Sequence, residues 1–237
     1  MQTGSPLAQP RPLSRRELGW LAAAAAAGVG VSVWLQRQPA QTRSLTLTPV
    51  VEAVLSDPGS PAVGSATPEV TIVLFTDYQC PICRATSPAL QALLAADPTI
   101  RVIFKDWPIF GEASKAAAKS ALAAARQGRY LALHNGLMAS RTRLDRARVE
   151  AIARAAGVDW PRLVEDEQAH GPVLEAQLRR HALQAFSLGL QGTPAYLVGA
   201  DLIEGGLDAR RLAKAVRRAR ADGPPRRVRS GSPPPGG

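Results

Sequence analysis

The chain has very little cysteine and histidine, with two cysteines and three histidines among its 237 residues. So few cysteines exclude a fold held together by a disulfide framework, and the chain is long enough to bury an ordinary core without one. A structural zinc site needs about four ligands. There is no second cysteine pair, and the histidines at positions 134, 170 and 181 lack the paired spacing of metal ligands. We therefore expect no metal and no other cofactor.

Positive charge is abundant, and most of the formal net charge of +10 lies near the carboxyl terminus. Nine bases stand there against Asp208 and Asp222: Arg210, Arg211, Lys214, Arg217, Arg218, Arg220, Arg226, Arg227 and Arg229. No aromatic residues are interleaved with them, so the sequence predicts no nucleic-acid binding. Residues 222–237, composed mainly of Pro, Gly, Ser and Arg, are predicted to be a disordered, solvated tail. Contact of these bases with anionic lipid head groups is the weaker alternative.

Charged residues are absent from residues 18–35, an apolar, alanine-rich run with Trp20 and Trp34 near its ends. As a helix this run would be roughly 27 Å long, just enough for the hydrocarbon core of a bilayer. Arginines precede it, so residues 1–17 are predicted to stay in the cytoplasm while the rest is exported. We favour an uncleaved transmembrane anchor, because no clear small-x-small cleavage site follows. A cleaved signal, suggested by the twin-arginine-like sequence SRREL, and a buried soluble helix are the alternatives.

Export predicts an oxidising compartment, where a close cysteine pair can hold a disulfide. Residues 36–68 are rich in Pro, Ser, Thr and Gly and are predicted to be a linker between the membrane and the folded domain. Within this linker, residues 50–55 are apolar enough for one or two helical turns.

The two cysteines form the motif Cys80-Pro81-Ile82-Cys83, between the apolar run at residues 70–75 and a segment with helical apolar periodicity. The pattern predicts a strand, a turn and a helix that begins at Cys80. A helix N-terminus favours a thiolate, the form of cysteine that attacks disulfides. Cys83 faces the same side of the helix and can close a disulfide with Cys80. We expect Cys80 to be exposed and reactive, with Cys83 behind it.

The remaining chain predicts an α/β fold with a helical insertion. A second strand at residues 100–104 completes a βαβ unit, so the two strands should be parallel neighbours. Residues 112–189 carry five helical segments. They are followed by Gly192-Thr193-Pro194, a tight hairpin around Gly199, and a last amphipathic helix. One domain is thus predicted from residues 69–111 and 190–221, with residues 112–189 as an inserted helical domain.

Two charged residues, Asp77 and Lys105, lie near the carboxyl ends of the predicted neighbouring strands. Reaction sites in such sheets lie at these ends. The two side chains could approach each other and the cysteines, and could then tune thiol pKa values or relay protons. The alternative is a pair of solvated charges.

The chain resembles the DsbA-like branch of the thioredoxin superfamily over residues 56–221. The resemblance rests on the order of elements, on FTDYQCPIC at residues 75–83, on the lead-in DPGSP at 57–61, and on GTPA at 192–195. It implies a thioredoxin fold with an inserted helical domain. It also implies that Cys80 bonds to substrate, that Cys83 resolves the mixed disulfide, and that Thr193-Pro194 lies against them with a cis peptide bond.

The resemblance implies a thiol–disulfide oxidoreductase that acts on protein thiols and disulfides. The DsbA oxidases typically carry a histidine where this chain has Ile82, so the pair Pro81-Ile82 predicts a less acidic Cys80 and a less oxidising disulfide. Our leading hypothesis is an exported, membrane-anchored oxidase recycled by a DsbB-like partner. The alternatives are a reductase or isomerase kept reduced by a DsbD-like donor, and a binding module or chaperone in which the cysteines are incidental.

Overall fold

The computed structural model describes residues 41–223 together with Ser14 and Arg16. The predicted transmembrane segment at residues 18–35 and the tail beyond residue 223 lie outside the described residues. Within the part of the chain that is described, no helix is both long and apolar enough to span a bilayer.

A six-stranded mixed sheet carries the fold, with the strand order β1-β6-β5-β3-β4-β2. The strands are β1 (Gln41–Ser44), β2 (Ala62–Gly64), β3 (Val70–Thr76), β4 (Ile100–Asp106), β5 (Ala195–Val198) and β6 (Asp201–Glu204). β3 and β4 are parallel and in register from Val70 opposite Ile100 to Thr76 opposite Asp106. The predicted βαβ unit is therefore confirmed, and its two carboxyl ends meet at one edge. The other strand pairs are antiparallel.

The central strand β3 is covered on both faces, which explains its nearly continuous apolar sequence. Ile72 and Leu74 face one hydrophobic cluster, and the alternate residues Val73 and Phe75 face a second one. Helices α2 (Pro81–Ala96) and α8 (Ala209–Asp222) pack together on the first face, while α1 (Pro49–Leu55) packs on the second. Burial on both sides holds β3 in the sheet, and its pairing with β4 continues to Thr76, four residues before Cys80.

Five helices and one 3-10 turn (Ala125–Gln127) separate β4 from β5. The helices are α3 (Glu112–Ala124), α4 (Tyr130–Ala139), α5 (Arg146–Ala155), α6 (Trp160–Ala169) and α7 (Gly171–Ser187). Their number and order match the sequence prediction. Asp159 caps the N-terminus of α6, because its side chain accepts a hydrogen bond from the backbone N–H of Arg162 at 3.2 Å.

The prediction of a linker over residues 36–68 is wrong for residues 41–64, which belong to the folded domain. β1 pairs with β6 at one edge of the sheet and β2 pairs with β4 at the other. Between them, Thr48 caps α1, and this helix buries Val51 and Val54. Short edge strands are held by backbone hydrogen bonds, so their sequences need no clear apolar alternation. Only the helical turns expected at residues 50–55 were visible in the pattern.

Candidate functional site

The cysteine pair lies where β3 ends and α2 begins. Cys80 is the N-cap of α2, and its Sγ accepts a hydrogen bond from the backbone N–H of Cys83 at 3.3 Å. Pro81 occupies the first turn, where the absence of its N–H costs no hydrogen bond. The short turn between strand and helix thus brings the sulfur of Cys80 to the positive end of the helix.

The loop before β5 closes over this turn. The peptide bond between Thr193 and Pro194 is cis, in agreement with the prediction. The Sγ of Cys80 lies 3.3 Å from the carbonyl oxygen of Thr193. The carbonyl of Pro194 accepts a hydrogen bond from the N–H of Gly205 at 2.9 Å, which ties the loop to the end of β6. The site therefore joins segments that are more than a hundred residues apart in the chain.

Both cysteines are free thiols and both are buried, with 2% of Cys80 and 3% of Cys83 exposed. The prediction that Cys80 is exposed is therefore wrong. The cis-proline loop covers its sulfur, which a local pattern around the cysteines cannot show. The exposed residues of the motif are instead Pro81 and Ile82, the latter with 46% of its surface accessible.

The two thiols are strongly unequal in acidity. The pKa of Cys80 is lowered to about 6, chiefly by a hydrogen bond from the side chain of Cys83. Burial opposes this, and the backbone N–H groups of Cys83 and Ile82 add to the lowering, as does the side chain of Thr193. The pKa of Cys83 is raised far above its ordinary value, first by burial and then by Cys80. Cys80 is thus the nucleophilic member of the pair, and Cys83 holds its proton.

Asp77 is a clamp for the loop after β4. Its carboxylate is 1% exposed and accepts hydrogen bonds from the backbone N–H groups of Gln79 at 2.7 Å, Ile109 at 2.6 Å and Phe110 at 3.1 Å. It also accepts one from the hydroxyl of Ser114. The side chain therefore fixes the turn before Cys80 relative to the segment at residues 109–114.

Lys105, near the carboxyl end of β4, is completely buried. Its Nζ lies 2.8 Å from a carboxylate oxygen of Asp57 and 2.9 Å from the hydroxyl of Ser60. Burial lowers the pKa of Lys105 to about 8, although Asp57 opposes the shift. The two side chains are neither paired with each other nor solvated: Asp77 binds backbone N–H groups and Ser114, while Lys105 binds Asp57 and Ser60.

A chain of buried polar groups beneath the site was missed by the sequence reasoning. The Oη of Tyr130 lies 3.1 Å from each carboxylate oxygen of Asp106 and 3.5 Å from the Oη of Tyr78. The Oη of Tyr78 is in turn 3.0 Å from Nδ1 of His134. The spacing of Tyr130 and His134, four residues apart on one helix face, was the available signal.

The surface around the motif carries exposed apolar side chains. Ile82 on α2 is 46% exposed, and Ile109 and Phe110 on the loop held by Asp77 are 42% and 51% exposed. Gly206 lies close to Ile82, because a Cβ placed on this glycine would come within 2.8 Å of the Ile82 side chain. The surface next to the cysteine motif is therefore apolar in part.

Comparison with known proteins gives the class of this site. Residues 71–217 match the family model described as the DSBA-like thioredoxin domain. This match covers more than half of the sequence. The chain therefore belongs to the DSBA-like thioredoxin-domain family, a family of thiol–disulfide oxidoreductases.

Several solved structures are similar over most of the described fold. A thioredoxin-like oxidoreductase from Silicibacter pomeroyi shares 38% identity over 72% of this chain and 97% of its own, with a TM-score of 0.68. A periplasmic thioredoxin-like protein from Salmonella enterica serovar Typhimurium shares 32% identity, covers 74% and 98%, and has a TM-score of 0.65. The thiol-disulfide exchange protein α-DsbA2 from Wolbachia pipientis shares 28% identity, covers 70% and 90%, and has a TM-score of 0.67.

Curated relatives are longer proteins. The chain is 27% identical over 206 residues to a Na(+)/H(+) antiporter NhaA 1 of Salinispora arenicola, and this match covers 81% of the chain but 31% of the relative. The chain thus spans about a third of the length of the curated relatives it matches.

Proposed function

We propose that this protein catalyses thiol–disulfide exchange in exported proteins, and that it acts as a donor of disulfides. In the oxidised protein, a substrate thiolate attacks Cys80 and displaces the sulfur of Cys83, which takes up a proton. A second substrate thiolate then attacks the substrate sulfur of the mixed disulfide. A substrate disulfide forms, and Cys80 leaves as a thiolate. Two electrons pass from the substrate to the cysteine pair in this cycle.

The observation that carries the proposal is the acidity of Cys80 at the start of α2. A thiolate that is stabilised in the reduced protein makes the reduced state more favourable, so the corresponding disulfide is a stronger oxidant. A pKa of about 6 lies between the values of about 3.5 for DsbA and about 7 for thioredoxin. The dipeptide Pro81-Ile82 supplies no charged group that would lower it further.

The substrate site would use the backbone at Thr193 and Pro194 and the apolar residues around the sulfur. The carbonyl oxygen of Thr193 lies 3.3 Å from the sulfur of Cys80, so a substrate bonded to Cys80 would lie next to this backbone. Ile82, Ile109 and Phe110 provide a contact surface that does not depend on one particular sequence. This arrangement suits segments of unfolded proteins, which are extended and rich in exposed apolar side chains.

The location we propose is extracytoplasmic. The periplasmic thioredoxin-like protein of Salmonella supports it, as does the apolar run at residues 18–35, for which we propose the role of a membrane anchor. An oxidase needs an acceptor for the two electrons, and we propose a DsbB-like membrane partner for that role. The alternative is a reductase or isomerase supplied with electrons by a DsbD-like donor.

The test is oxidation of a reduced two-cysteine peptide by the oxidised protein, followed by mass spectrometry. We expect a peptide disulfide and the reduced protein in equal amounts. The Cys83→Ala variant should accumulate a mixed disulfide between Cys80 and the peptide, whereas Cys80→Ser should form none. A Cys80→Ser variant that protects unfolded proteins from aggregation as well as the unaltered protein would favour the binding module instead. No transfer by the unaltered protein would refute the proposal.

A further inference from the structure

Cys83 takes up a proton when a substrate displaces it from Cys80. It must lose this proton again whenever it attacks Cys80 in the mixed disulfide and releases the substrate as a free thiolate, and its surroundings make this difficult. The thiol is 3% exposed, and burial raises its pKa. Leu74 of β3 packs in the same hydrophobic cluster as Cys83, and its side chain has no group that could accept this proton. The described residues place no carboxylate within hydrogen-bond distance of the Cys83 sulfur. The proton therefore needs another route.

A small cavity lies behind Cys83. Its volume is about 10 Å³, and it is lined by four apolar side chains together with Cys83, Thr76, Ser87, His134 and Tyr196. A cavity of this size can hold about one water molecule when polar groups line it. The ring of His134 thus reaches the same space as the thiol of Cys83.

We propose that His134, Tyr78 and Tyr130 form a proton relay that carries the Cys83 proton to Asp106 during resolution of the mixed disulfide. This inference rests on the exchange reaction proposed above. It assigns a role to four buried residues that the exchange chemistry at the two sulfurs does not itself use.

The directions of the hydrogen bonds follow from the donors available. An ionised carboxylate only accepts, so the hydroxyl of Tyr130 donates to Asp106 at 3.1 Å. The oxygen of Tyr130 then accepts a hydrogen bond from the hydroxyl of Tyr78 at 3.5 Å, the longest donor–acceptor distance in this series of hydrogen bonds. The oxygen of Tyr78 accepts from Nδ1–H of His134 at 3.0 Å. Nε2 of His134 is thereby left with a lone pair that can accept a proton.

The protons in this transfer balance, and His134 stays neutral because it gains one proton as it gives up another. Cys83 gives its proton through one water molecule to Nε2 of His134, and Nδ1 passes its own proton to Tyr78. Tyr78 passes its proton to Tyr130, and Tyr130 passes one to Asp106. Meanwhile the Cys83 thiolate attacks Cys80, the disulfide between them forms, and the substrate leaves as a thiolate. In every hydrogen bond of the relay the donor and the acceptor exchange roles. The net change is one proton moved from Cys83 to Asp106.

The acidities of the end groups fit this direction. Burial raises the pKa of Asp106 to about 7, and the nearby carboxylate of Asp77 adds to the shift, so it can take a proton near neutral pH. Burial lowers the pKa of His134 to about 3, which suits a neutral carrier. The other titratable groups facing this region are Arg84 near the cysteines, Tyr196 at the cavity, and His181, whose Nδ1 lies 3.1 Å from the backbone oxygen of Asp106.

The experiment follows both steps of reduction of a chromogenic aromatic disulfide by the reduced protein in a stopped-flow instrument. The first released thiolate reports attack by Cys80, and its rate depends on reagent concentration. The second reports attack by Cys83, and its rate does not. The Tyr78→Phe variant removes one hydroxyl and interrupts the relay with little change in packing. Asp106→Asn removes the final acceptor.

We expect both variants to slow the second step at pH 7 on the order of a hundredfold, a typical size for general base catalysis. The first step should stay within about twofold. The rate of the second step should level off above about pH 7 in the unaltered protein, as Asp106 ionises. In Tyr78→Phe it should instead keep rising with pH, because hydroxide becomes the acceptor. His170→Asn, a change at a histidine that lies beside Asp166 and outside the relay, should leave the second step unchanged.

An unchanged second step in Tyr78→Phe, with the pH profile of the unaltered protein, would overturn the relay. So would a comparable loss in Tyr196→Phe, which would identify that hydroxyl as the acceptor instead. Failure of the proposed exchange function looks different, because the first step would then also be slow and no peptide would be oxidised.

Discussion

Removal of the Cys83 side chain should make Cys80 a weaker acid. The hydrogen bond from the Cys83 side chain is the largest cause of the low pKa of Cys80. A hydrogen bond to a charged group contributes about 1.5–3 kcal/mol, which corresponds to about one to two pKa units. The backbone N–H of Cys83, at 3.3 Å from the sulfur, remains in the variant. We therefore expect the pKa of Cys80 to rise from about 6 to about 7–8 in Cys83→Ala.

The assay is the rate of alkylation of the single remaining thiol between pH 4 and pH 9. Cys83→Ser is the matched control, because its hydroxyl keeps a donor at the same place. Its thiol should titrate closer to that of the unaltered protein, clearly below that of Cys83→Ala. If the alanine and serine variants titrated together, the backbone and not the Cys83 side chain would control the acidity, and our reasoning would be refuted.

Three further predictions concern the groups that support the site. Asp77→Asn removes one acceptor oxygen that faces several donors, so it should lower the free energy of unfolding, measured in urea, by about 2–5 kcal/mol. Its control is Asp145→Asn at an exposed helix cap, which should change this free energy by less than about 0.5 kcal/mol. Lys105→Met leaves the Asp57 carboxylate without its buried partner and should cost about 3 kcal/mol, whereas the same change at exposed Lys214 should cost almost nothing. Between about pH 3 and 6.5, His181 binds a proton only in the unfolded protein, so its contribution to the free energy of unfolding should rise with pH across that interval. In His181→Asn, the free energy of unfolding should therefore differ less between pH 4.5 and pH 7 than in the unaltered protein.

The central elements of the fold could be predicted because their signals are local. The apolar run of β3, the helical periodicity after Cys80 and the five helices between β4 and β5 all follow from patterns within about twenty residues. The cis bond before Pro194 was predicted only through the resemblance of GTPA, since a trans bond is the ordinary case for proline.

The parts that escaped prediction depend on contacts between distant segments. β1 and β2 are short edge strands without an apolar alternation, and their places are set by β6 and β4. The burial of Cys80 comes from a loop 113 residues away. The partner of Lys105 is Asp57, 48 residues earlier, in a stretch that looked like linker.

The reduction potential of the Cys80–Cys83 pair, measured by equilibration with glutathione buffers at pH 7, tests the central claim most directly. With a pKa of about 6, Cys80 is about nine-tenths ionised at this pH, which stabilises the reduced protein by about 1.4 kcal/mol and raises the potential by about 30 mV over a pair of ordinary acidity. The thioredoxin thiol, with a pKa of about 7, is about half ionised at this pH, so we predict a value about 20 mV above the potential of thioredoxin, about −270 mV, and well below that of DsbA, about −120 mV. A value at or below that of thioredoxin would contradict the role of disulfide donor and favour the reductase or isomerase.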